Sequence, residues 1–552
     1  MKIKILFISF LSALVLAGPG CKKFLDVNKN LNNPTSVPVS LLLSYAERTI
    51  ANNTALGSGL GGVMSVYVHQ TTGRVAADRY GAGSAGWDGL YQAITNLNVI
   101  IRQGGTENRF VYVGIAKILK AYAFSILVDV YGDVPFSEFD RIADGITQPK
   151  FDKGSDIYPQ LITMIDAGIA DINNVTPNPS KPAADDYIYK GNTTNWIKAA
   201  NTIKLKLYTQ VRLVQNVQTQ VTALLSNPAS LINSQAESML MPYGVVGTLD
   251  APHPSYGEYT ATQRGSELFS PWMYEIMKGR NANILNGISD PRVPYYIYNQ
   301  KSATGTPENC TDYRDGGFIS ILFGSNGSCR DGSNSNTYAL LGLYSCGGRY
   351  DDGAAITINT IGNSKAGTGA LPHQFITYAD RLYLEAELIN KGIATGTERT
   401  VFSNAMDASF AQMDYIITNY IKPGTAGSPQ TVPAIATAAA TTTYKTAVLA
   451  AYDATTTSAK KLEYIMTEKW INRIENPIDS YTDYRRTGYP VLFSPAPVGT
   501  VTSVTDPSGK TTPVSNDRQY PLSLPFNTNE ISLNSNAPPQ KVPENYKVFW
   551  QP

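Results

Sequence analysis

Residues 112–136 read YVGIAKILKAYAFSILVDVYGDVPF, and this stretch decides the fold class. Its apolar residues recur at spacings of three and four, which places them in one stripe along a helix. The stripe consists of Ile115, Ile118, Leu119, Tyr122 and Ile126. Gly132 and Pro135 follow as typical helix stop signals. The stretch therefore predicts an amphipathic helix that ends before Pro135.

The same periodicity recurs along the chain. Residues 375–392 (FITYADRLYLEAELINKG) end at Gly392, and residues 461–477 (KLEYIMTEKWINRIENP) end at Pro477. We expect further helices at Leu41–Asn52, Trp87–Ile101, Ile157–Ile172, Trp196–Val214 and Val401–Tyr420. The predicted fold class is therefore mainly α, and a tryptophan at helical spacing (Trp87, Trp196, Trp470) is expected in the core.

Two regions break this pattern. Residues from about 242 to 372 are rich in Gly, Asn, Ser, Pro and Tyr, which predicts a loop-rich insertion with short strands. Residues 491–552 are rich in Pro and Ser and are expected to be irregular. We therefore predict one domain over residues 21–552, in which two helical segments (about 35–241 and 373–490) flank the insertion.

The N-terminus has the features of a secretory signal. Lys2 and Lys4 precede an apolar run that is too short to span a bilayer, and small residues then lead to Cys21. This order predicts a signal peptide over residues 1–20 and lipidation of Cys21, which would anchor the protein to a membrane. Gly18 departs from the usual lipobox, in which Leu or a similar residue precedes the cysteine by three positions. An ordinary secretory signal with an incidental thiol is the alternative.

Charge argues against some function classes. The chain has 45 basic and 44 acidic residues, and charged residues make up only 16% of it. Binding to nucleic acid requires a clustered excess of Lys and Arg, so we expect no nucleic-acid partner. A polar surface with few charges suits a protein outside the cytoplasm that handles neutral ligands.

Three cysteines remain after Cys21. In an oxidising compartment two of Cys310, Cys329 and Cys346 could pair, and Cys310–Cys329 would close a loop of about 20 residues. The pairing among the three stays open from sequence. Zinc is less favoured, because no C-x-x-C occurs and the histidines (His69, His253, His373) lie far away in sequence.

Catalytic motifs are weak. GSGLGG (57–62) and GAGSAG (81–86) match G-x-G-x-x-G, but neither follows a hydrophobic strand, as a dinucleotide site requires. Glu385 and Glu387 are two residues apart on one predicted helix, so they face different directions and are expected to be solvated charges. We predict no catalytic residue, metal or cofactor, although carboxylates that the fold brings together would need no local motif.

Several stretches together resemble one family. They are CKKFLDVNKNLNNPT from Cys21, WDGLYQAITNLNVII from Trp87, KAYAFSILVDVYGDVPFSEF from Lys120, GNTTNWIKAANTIKLKLYTQVR from Gly191, DPRVPYY from Asp290, FITYADRLYLEAELINKG from Phe375, EKWINRIENPIDSYTDYRRTGYP from Glu468 and YPLSLPFNTNEISLNSNAP from Tyr520. In this order and spacing they resemble the SusD/RagB family of outer-membrane nutrient-binding lipoproteins of Bacteroidota. Within them, Arg485 and Arg486 are expected to have a buried structural role.

The resemblance implies a fold and a role. The fold would be a curved scaffold of tetratricopeptide-like helix pairs. The protein would sit on the cell-surface side of the outer membrane, held by its lipid, and act as the lid of a SusC-type TonB-dependent transporter. The implied role is binding and handover, with no chemistry.

Ligand contacts can be predicted only from composition. Sugars stack on aromatic rings, while Arg and Asn supply hydrogen bonds, and residues of both kinds occur in two loop regions. The candidates are Tyr67, Arg74, Arg79 and Tyr80 in the first and Tyr256, Tyr313, Arg314 and Arg330 in the second. The same residues would serve oligopeptides, so the ligand is a glycan or, alternatively, a peptide. A surface-anchored glycosidase or peptidase is the competing class, and a pair of carboxylates in a cleft would distinguish it.

Overall fold

A computed structural model describes residues 37–75, 77–81, 83–176, 180–244, 251–358, 367–423, 429–494 and 497–552. The predicted signal peptide and Cys21 lie outside these ranges, so lipidation stays a prediction. Within them the chain is mainly α, with tetratricopeptide-like pairs of packed helices, as predicted.

The N-terminal half supplies seven helices to the described scaffold. They are α1 (Val39–Thr54), α2 (Gly59–Tyr67), α3 (Trp87–Thr106), α4 (Phe110–Tyr131), α5 (Gly154–Ile172), α6 (Thr193–Val211) and α7 (Gln218–Leu225). The insertion adds the short helices α8 (Gly257–Thr260), α9 (Pro271–Met277), α10 (Val293–Tyr296) and α11 (Leu343–Cys346). The remaining helices are α12 (Tyr378–Asn390), α13 (Glu398–Ile416), α14 (Ala439–Asp453), α15 (Ser458–Asn472), α16 (Pro477–Thr487) and α17 (Thr528–Leu533).

Strands are short and pair in twos. The antiparallel pairs are β1 (Thr71–Thr72) with β5 (Leu268–Phe269), β2 (Val134–Pro135) with β3 (Phe151–Asp152), β4 (Met239–Met241) with β10 (His373–Ile376), β6 (Ile297–Tyr298) with β9 (Leu340–Leu341), β7 (Tyr313–Asp315) with β8 (Phe318–Ser320), and β11 (Val501–Thr505) with β12 (Thr511–Ser515). Of these pairs, β1 with β5 joins the insertion to the helical scaffold, while β6 with β9 and β7 with β8 lie within the insertion.

Helix α4 is the centre of the core. All five residues of the predicted stripe are buried, and so are most of the residues on its other faces, because α3 and α5 pack on either side. By length and composition α4 could cross a membrane, but 89% of its most apolar window is buried inside the protein. Gly114 lets α5 approach closely, since a Cβ there would lie 2.5 Å from the Gly168 carbonyl oxygen. Helix α4 is therefore a core helix.

Buried ion pairs tie the C-terminal helices to the scaffold. Arg473, at the end of α15, donates to Asp380 at 2.8 Å and to Asp479 at 2.7 Å. Lys206 of α6 donates to the second oxygen of Asp479 at 2.5 Å. Arg485 donates to the carbonyls of Asp129 and Leu522, so its expected structural role is confirmed. The stretches that resemble the family therefore meet in the core of this fold.

Three expectations about individual residues can be compared with the structure. Trp87, Trp196 and Trp470 are in the core, as predicted. The expectation that Glu387 is solvated is wrong: its side chain is 0% exposed, and Arg486 and Arg212 hold it. Glu385, also expected in solvent, is mostly covered and pairs with Arg381 at 3.0 Å.

The C-terminal region is more ordered than its composition suggests. The composition of residues 491–552 predicts irregular structure, but β11 and β12 form a hairpin, and helix α17 follows. The hairpin docks on the insertion through Ser515, whose amide donates to the Gly324 carbonyl at 2.8 Å, and through Asn326, whose amide donates to the Pro513 carbonyl at 2.8 Å. Contacts between segments distant in sequence supply this order.

Cys310 and Cys329 form a disulfide in the structure, with their Cα atoms 5.3 Å apart, and Cys346 is a buried free thiol. The disulfide joins residues 19 apart in sequence, at the base of the segment on which the hairpin docks.

Reducing this disulfide should lower the free energy of unfolding by about 3 kcal/mol, because the reduced unfolded chain gains the entropy of an open loop. Denaturant unfolding of the chain from Lys22, with and without dithiothreitol, measures the change. A C310S/C329S double variant should have the lower stability in both conditions. Equal stability of oxidised and reduced wild type would contradict the prediction.

Candidate functional site

The insertion and the C-terminal hairpin enclose a groove of about 500 Å³. Aromatic and apolar side chains form much of its wall, namely Trp272, Tyr313, Leu322, Phe323, Phe493 and Val504. Polar residues share the lining, namely Ser270, Glu275, Arg280, Asn281, Asn283, Thr505 and Asp506. We call this space the aromatic groove.

Helix α9 positions the tryptophan. The Ser270 hydroxyl accepts a hydrogen bond from the Trp272 amide at 3.2 Å, and Pro271 occupies the first turn, which fixes where the helix begins. Trp272 is half-buried, and its ring centroid lies 5.5 Å from that of Phe493 at an angle of 37°. Its indole N–H is buried and has no hydrogen-bond acceptor among the described residues. The tryptophan thus offers a ring and an unused donor.

Glu275 lies one turn after Trp272, so both side chains share one side of α9. The Tyr313 hydroxyl donates to Glu275, and Arg280 lies 3.7 Å from the same carboxylate. Arg280 also pairs with Asp315 at 2.7 Å. Although burial opposes it, the hydrogen bonds from Arg280 and Tyr274 hold the pKa of Asp315 below its ordinary value. Arg280 therefore lies between two carboxylates, and the described residues of the groove lining include one basic residue, Arg280, and two acidic ones, Glu275 and Asp506.

The hairpin forms the opposite wall. Asp506 begins its turn and accepts hydrogen bonds from the Arg314 amide at 2.9 Å, the Lys510 amide at 2.9 Å and the Ser508 hydroxyl at 2.6 Å. This carboxylate is therefore used to hold the wall in place. Val504 and Thr505 add side chains to the lining.

A second cavity of about 500 Å³ continues the groove past Phe493, which lines both. Its wall contains Tyr80, Tyr484 and Tyr520, with the ring centroid of Tyr520 lying 4.8 Å from that of Tyr484 and 5.2 Å from that of Tyr80. Arg518, Gln519 and Asn516 add polar groups. A row of rings beside two amide side chains and one guanidinium group can hold an extended ligand.

The structure places two of the eight predicted ligand residues in these cavities. Tyr313 lines the aromatic groove and Tyr80 lines its continuation. Tyr67 and Tyr256 are buried, with Tyr256 stacked on Tyr259 at a centroid distance of 5.2 Å. These two tyrosines therefore contribute to packing.

The four predicted arginines bind groups of the protein itself. Arg74 donates to the Arg264 carbonyl at 2.7 Å, and Arg79 donates to Ser325 and Asn326. Arg314 donates to the carbonyls of Gly305 and Gly316, and Arg330 pairs with Asp78. They hold the loops around the cavities, and none of them lines the aromatic groove or its continuation.

Sequence reasoning missed Trp272 and Phe493. Trp272 is the tryptophan outside the core, since Trp87, Trp196, Trp470 and Trp550 are all buried. Its signal in the sequence was the Ser-Pro-Trp start of a short helix within a loop-rich region. Phe493 had no such signal, because the fold alone brings residue 493 next to residue 272.

The histidines are buried and structural. His373 and His253 contact Glu475, at 2.6 Å and 3.3 Å, and burial lowers the pKa of His69 to about 3. Across the described residues, no group of three or more His, Cys, Asp and Glu side chains is arranged to hold a metal ion.

Residues 31–508 match the SusD-like family, which is described as starch-binding and associating with the outer membrane. Solved structures share the fold. A SusD/RagB family protein from Bacteroides thetaiotaomicron has a TM-score of 0.66 at 17% identity, over 93% of this chain and 99% of that one. A SusD homologue from Bacteroides fragilis has a TM-score of 0.64 at 17% identity, over 90% and 94%.

A chitin-binding SusD homologue from Flavobacterium johnsoniae has a TM-score of 0.61 at 16% identity, over 93% of this chain and 97% of that one. At such identities the likeness establishes the fold alone. No curated protein matches the sequence significantly.

Proposed function

The chain belongs to the SusD-like family of starch-binding proteins that associate with the outer membrane, and on this basis we propose that it captures glycans in the aromatic groove. One observation carries the proposal. Trp272, half-buried and facing Phe493, presents its ring in a groove of about 500 Å³ while its indole N–H has no acceptor among the described residues.

The chemistry of the groove favours a neutral, polyhydroxylated ligand. Aromatic rings cover the apolar faces of sugar rings, and the amides of Asn281 and Asn283 and the Thr505 hydroxyl can hydrogen-bond hydroxyl groups. The continuation past Phe493 extends the site to several sugar units. Because relatives of this fold bind chitin, we place chitin oligosaccharides beside starch oligosaccharides as first candidates.

Delivery is the second part of the proposal. The resemblance implies handover to a SusC-type TonB-dependent transporter, with the protein held at the cell surface by acylated Cys21. The protein would bind its ligand without cleaving it. Both carboxylates of the aromatic groove are engaged within the protein, Glu275 by Tyr313 and Asp506 by three donors, which argues against a free acid–base pair there.

Calorimetric titration of the chain from Lys22 against starch, chitin and peptide oligomers tests the proposal, together with analysis of the recovered ligand. Saturable binding of an oligosaccharide that is recovered intact supports glycan capture. If only peptides bind, the ligand of this groove is an oligopeptide and not a glycan. If cleavage products form at a rate proportional to the protein concentration, the protein hydrolyses its ligand and the proposal of capture without cleavage is wrong.

Replacing Trp272 with alanine should weaken binding of the oligosaccharide about thirtyfold, since a buried aromatic anchor typically contributes about 2 kcal/mol. Ligand should also change the tryptophan fluorescence of the wild type, and W272F should lose that change because the other tryptophans are buried. Tyr45→Ala is the matched control, because Tyr45 is an exposed aromatic residue on α1 outside the cavities. An equal loss of affinity in both variants would contradict the assignment of the aromatic groove as the binding site.

A further inference from the structure

A third cavity of about 500 Å³ lies beside the aromatic groove. The segment that contains β5 separates the two, since Ser266 and Glu267 line the third cavity while Ser270 and Trp272 line the groove. Both glycine motifs of the sequence meet here, with Gly57, Gly59 and Gly62 on one side and Gly81 and Gly83 on the other. We call this space the glycine cavity.

Its lining differs from that of the groove. The described residues around it include neither an aromatic nor a basic side chain. Small apolar residues (Val63, Val66, Val75, Ala77 and Ala261) cover part of the wall, and two carboxyl groups, Glu258 and Glu267, are the ionisable members. The cavity is therefore apolar with an acidic end.

Backbone amides donate hydrogen bonds to the carboxylate of Glu258. Its two oxygens accept hydrogen bonds from the amides of Gly265, Ser266 and Glu267 at 3.0, 3.2 and 3.2 Å. Arg264, the nearest guanidinium, is directed at the carbonyls of Glu258, Tyr259 and Ser335. Glu258 thus holds a loop and contributes negative charge to the cavity.

Glu267 is not satisfied. Its Oε1 is buried and has no hydrogen-bond partner, and no basic side chain in the described part of the chain pairs with it. The buried Ser255 hydroxyl lies close enough to lower the pKa of Glu267 as a hydrogen-bond donor, but it has no partner of regular hydrogen-bond geometry. A Cβ at Gly57, where φ is +80°, would lie 2.3 Å from Ser255 Oγ and 2.6 Å from Glu267 Oε2, so only glycine leaves room for this pair.

We propose that the glycine cavity binds a small primary amine, whose ammonium group lies between Glu267 and Ser255. An ammonium group brings three N–H donors, which suit the free carboxyl oxygen of Glu267, the hydroxyl oxygen of Ser255 as an acceptor and a backbone carbonyl of the glycine segments. Val63, Val66 and Val75 then cover a short aliphatic part of the ligand. A neutral sugar would find no aromatic ring here, which distinguishes this site from the groove.

The ionisation of Glu267 supports this assignment. Burial and, to a lesser extent, the charge of Glu258 raise its pKa to about 8, although hydrogen bonds from Ser255 and the Gly57 amide oppose the shift. The buried Cys346 thiol also faces the two carboxyls, and burial raises its own pKa well above its ordinary value. Without ligand, Glu267 therefore holds a proton at neutral pH, and an ammonium ligand must displace it.

This displacement gives a distinctive pH dependence. Below pH 8 binding of an alkylammonium ion releases the proton of Glu267, so the affinity should fall about tenfold for each pH unit. Between pH 8 and about 10 both partners are charged and the affinity should be highest. A neutral ligand that accepts a hydrogen bond from the protonated carboxyl would show the opposite trend, with weaker binding above pH 8.

The test is an NMR titration of the chain from Lys22 with n-butylamine, using 1-butanol as the neutral probe. We expect one saturable site for butylamine, the stated pH dependence, and a loss of at least tenfold in Glu267→Gln. Glu47→Gln is the matched control, because Glu47 is a fully buried carboxyl whose pKa burial also raises, and it lines none of the cavities described above. Thermal melts of both variants verify folding.

Several outcomes would overturn the proposal: no saturable binding of butylamine, equal binding of butanol, unchanged binding in Glu267→Gln, or tighter binding below pH 8 than above it. Trp272→Ala should leave butylamine binding unchanged. Failure of glycan capture in the groove would therefore not affect this result, and the two proposals can fail separately.

Discussion

Replacing Arg292 with methionine should lower the free energy of unfolding by about 3–5 kcal/mol. Arg292 is fully buried and lies between two carboxylates, donating to Asp290 at 2.6 Å and to Glu468 at 2.8 Å. Methionine fills much of the volume but leaves both acids buried without a cation. Each would have to take up a proton or remain charged in an apolar surrounding, and either costs free energy.

The surroundings of Arg292 leave little room for relaxation. Its guanidinium lies over the rings of Phe410 and Tyr444, at 5.0 and 5.5 Å from their centroids. The Tyr444 hydroxyl, which accepts from Arg292 at 3.1 Å, also donates to Glu468. Water therefore cannot easily take the place of the guanidinium group. We expect the whole cost of leaving two buried carboxyls without a cation to appear as a lower free energy of unfolding.

Denaturant unfolding followed by circular dichroism measures the loss. Arg399→Met is the matched control, because Arg399 pairs with Asp453 at 2.8 Å at an exposed site and its removal should hardly change the midpoint. If both variants unfold at the same denaturant concentration as the wild type, the Arg292 cluster does not stabilise the fold.

Arg292 and Glu468 show why the fold could be predicted from the sequence. They belong to DPRVPYY and EKWINRIENP, two of the stretches that resemble the family, and the structure joins them across the core. The helices followed from periodicity because at least one face of each must be buried, and α3 shows this best, whereas α4 is buried on nearly all its faces. The hairpin of β11 and β12 did not follow, because β11 is largely exposed and lacks a buried alternating face.

The groove could be predicted only in part. Composition selected aromatic and basic residues in loops, but it could not tell a buried ring that only packs, such as Tyr67, from a buried ring that also lines a cavity, such as Tyr80. The arginines illustrate the same limit, because loops without regular structure leave carbonyls that need donors, and Arg314 and Arg330 supply them. The pairing of Trp272 with Phe493 depends on contacts between distant segments.

Glu387→Gln is the second variant with a large expected effect, again a loss of about 3–5 kcal/mol. The Glu387 carboxylate accepts from Arg486 at 2.9 Å and from Arg212 at 2.9 Å. Although burial opposes it, these two guanidinium groups hold its pKa well below the ordinary value. Glutamine at position 387 leaves the guanidinium groups of Arg486 and Arg212 buried without this carboxylate. Arg486 still donates to Asp483 at 2.6 Å. Arg212 has no other carboxylate in the described part of the chain.

The pH dependence and a second substitution make this prediction specific. Because the pKa of Glu387 is lowered by folding, its contribution is present above the ordinary pKa of a glutamate and is lost as the pH falls below it, so the difference between wild type and E387Q should shrink in acid. Adding Arg212→Met to E387Q should recover part of the loss, since it removes the cation without a partner. Glu385→Gln, two residues away and paired with Arg381, should cost clearly less. Equal losses at positions 385 and 387 would mean that helix packing, and not the buried charge, accounts for the effect.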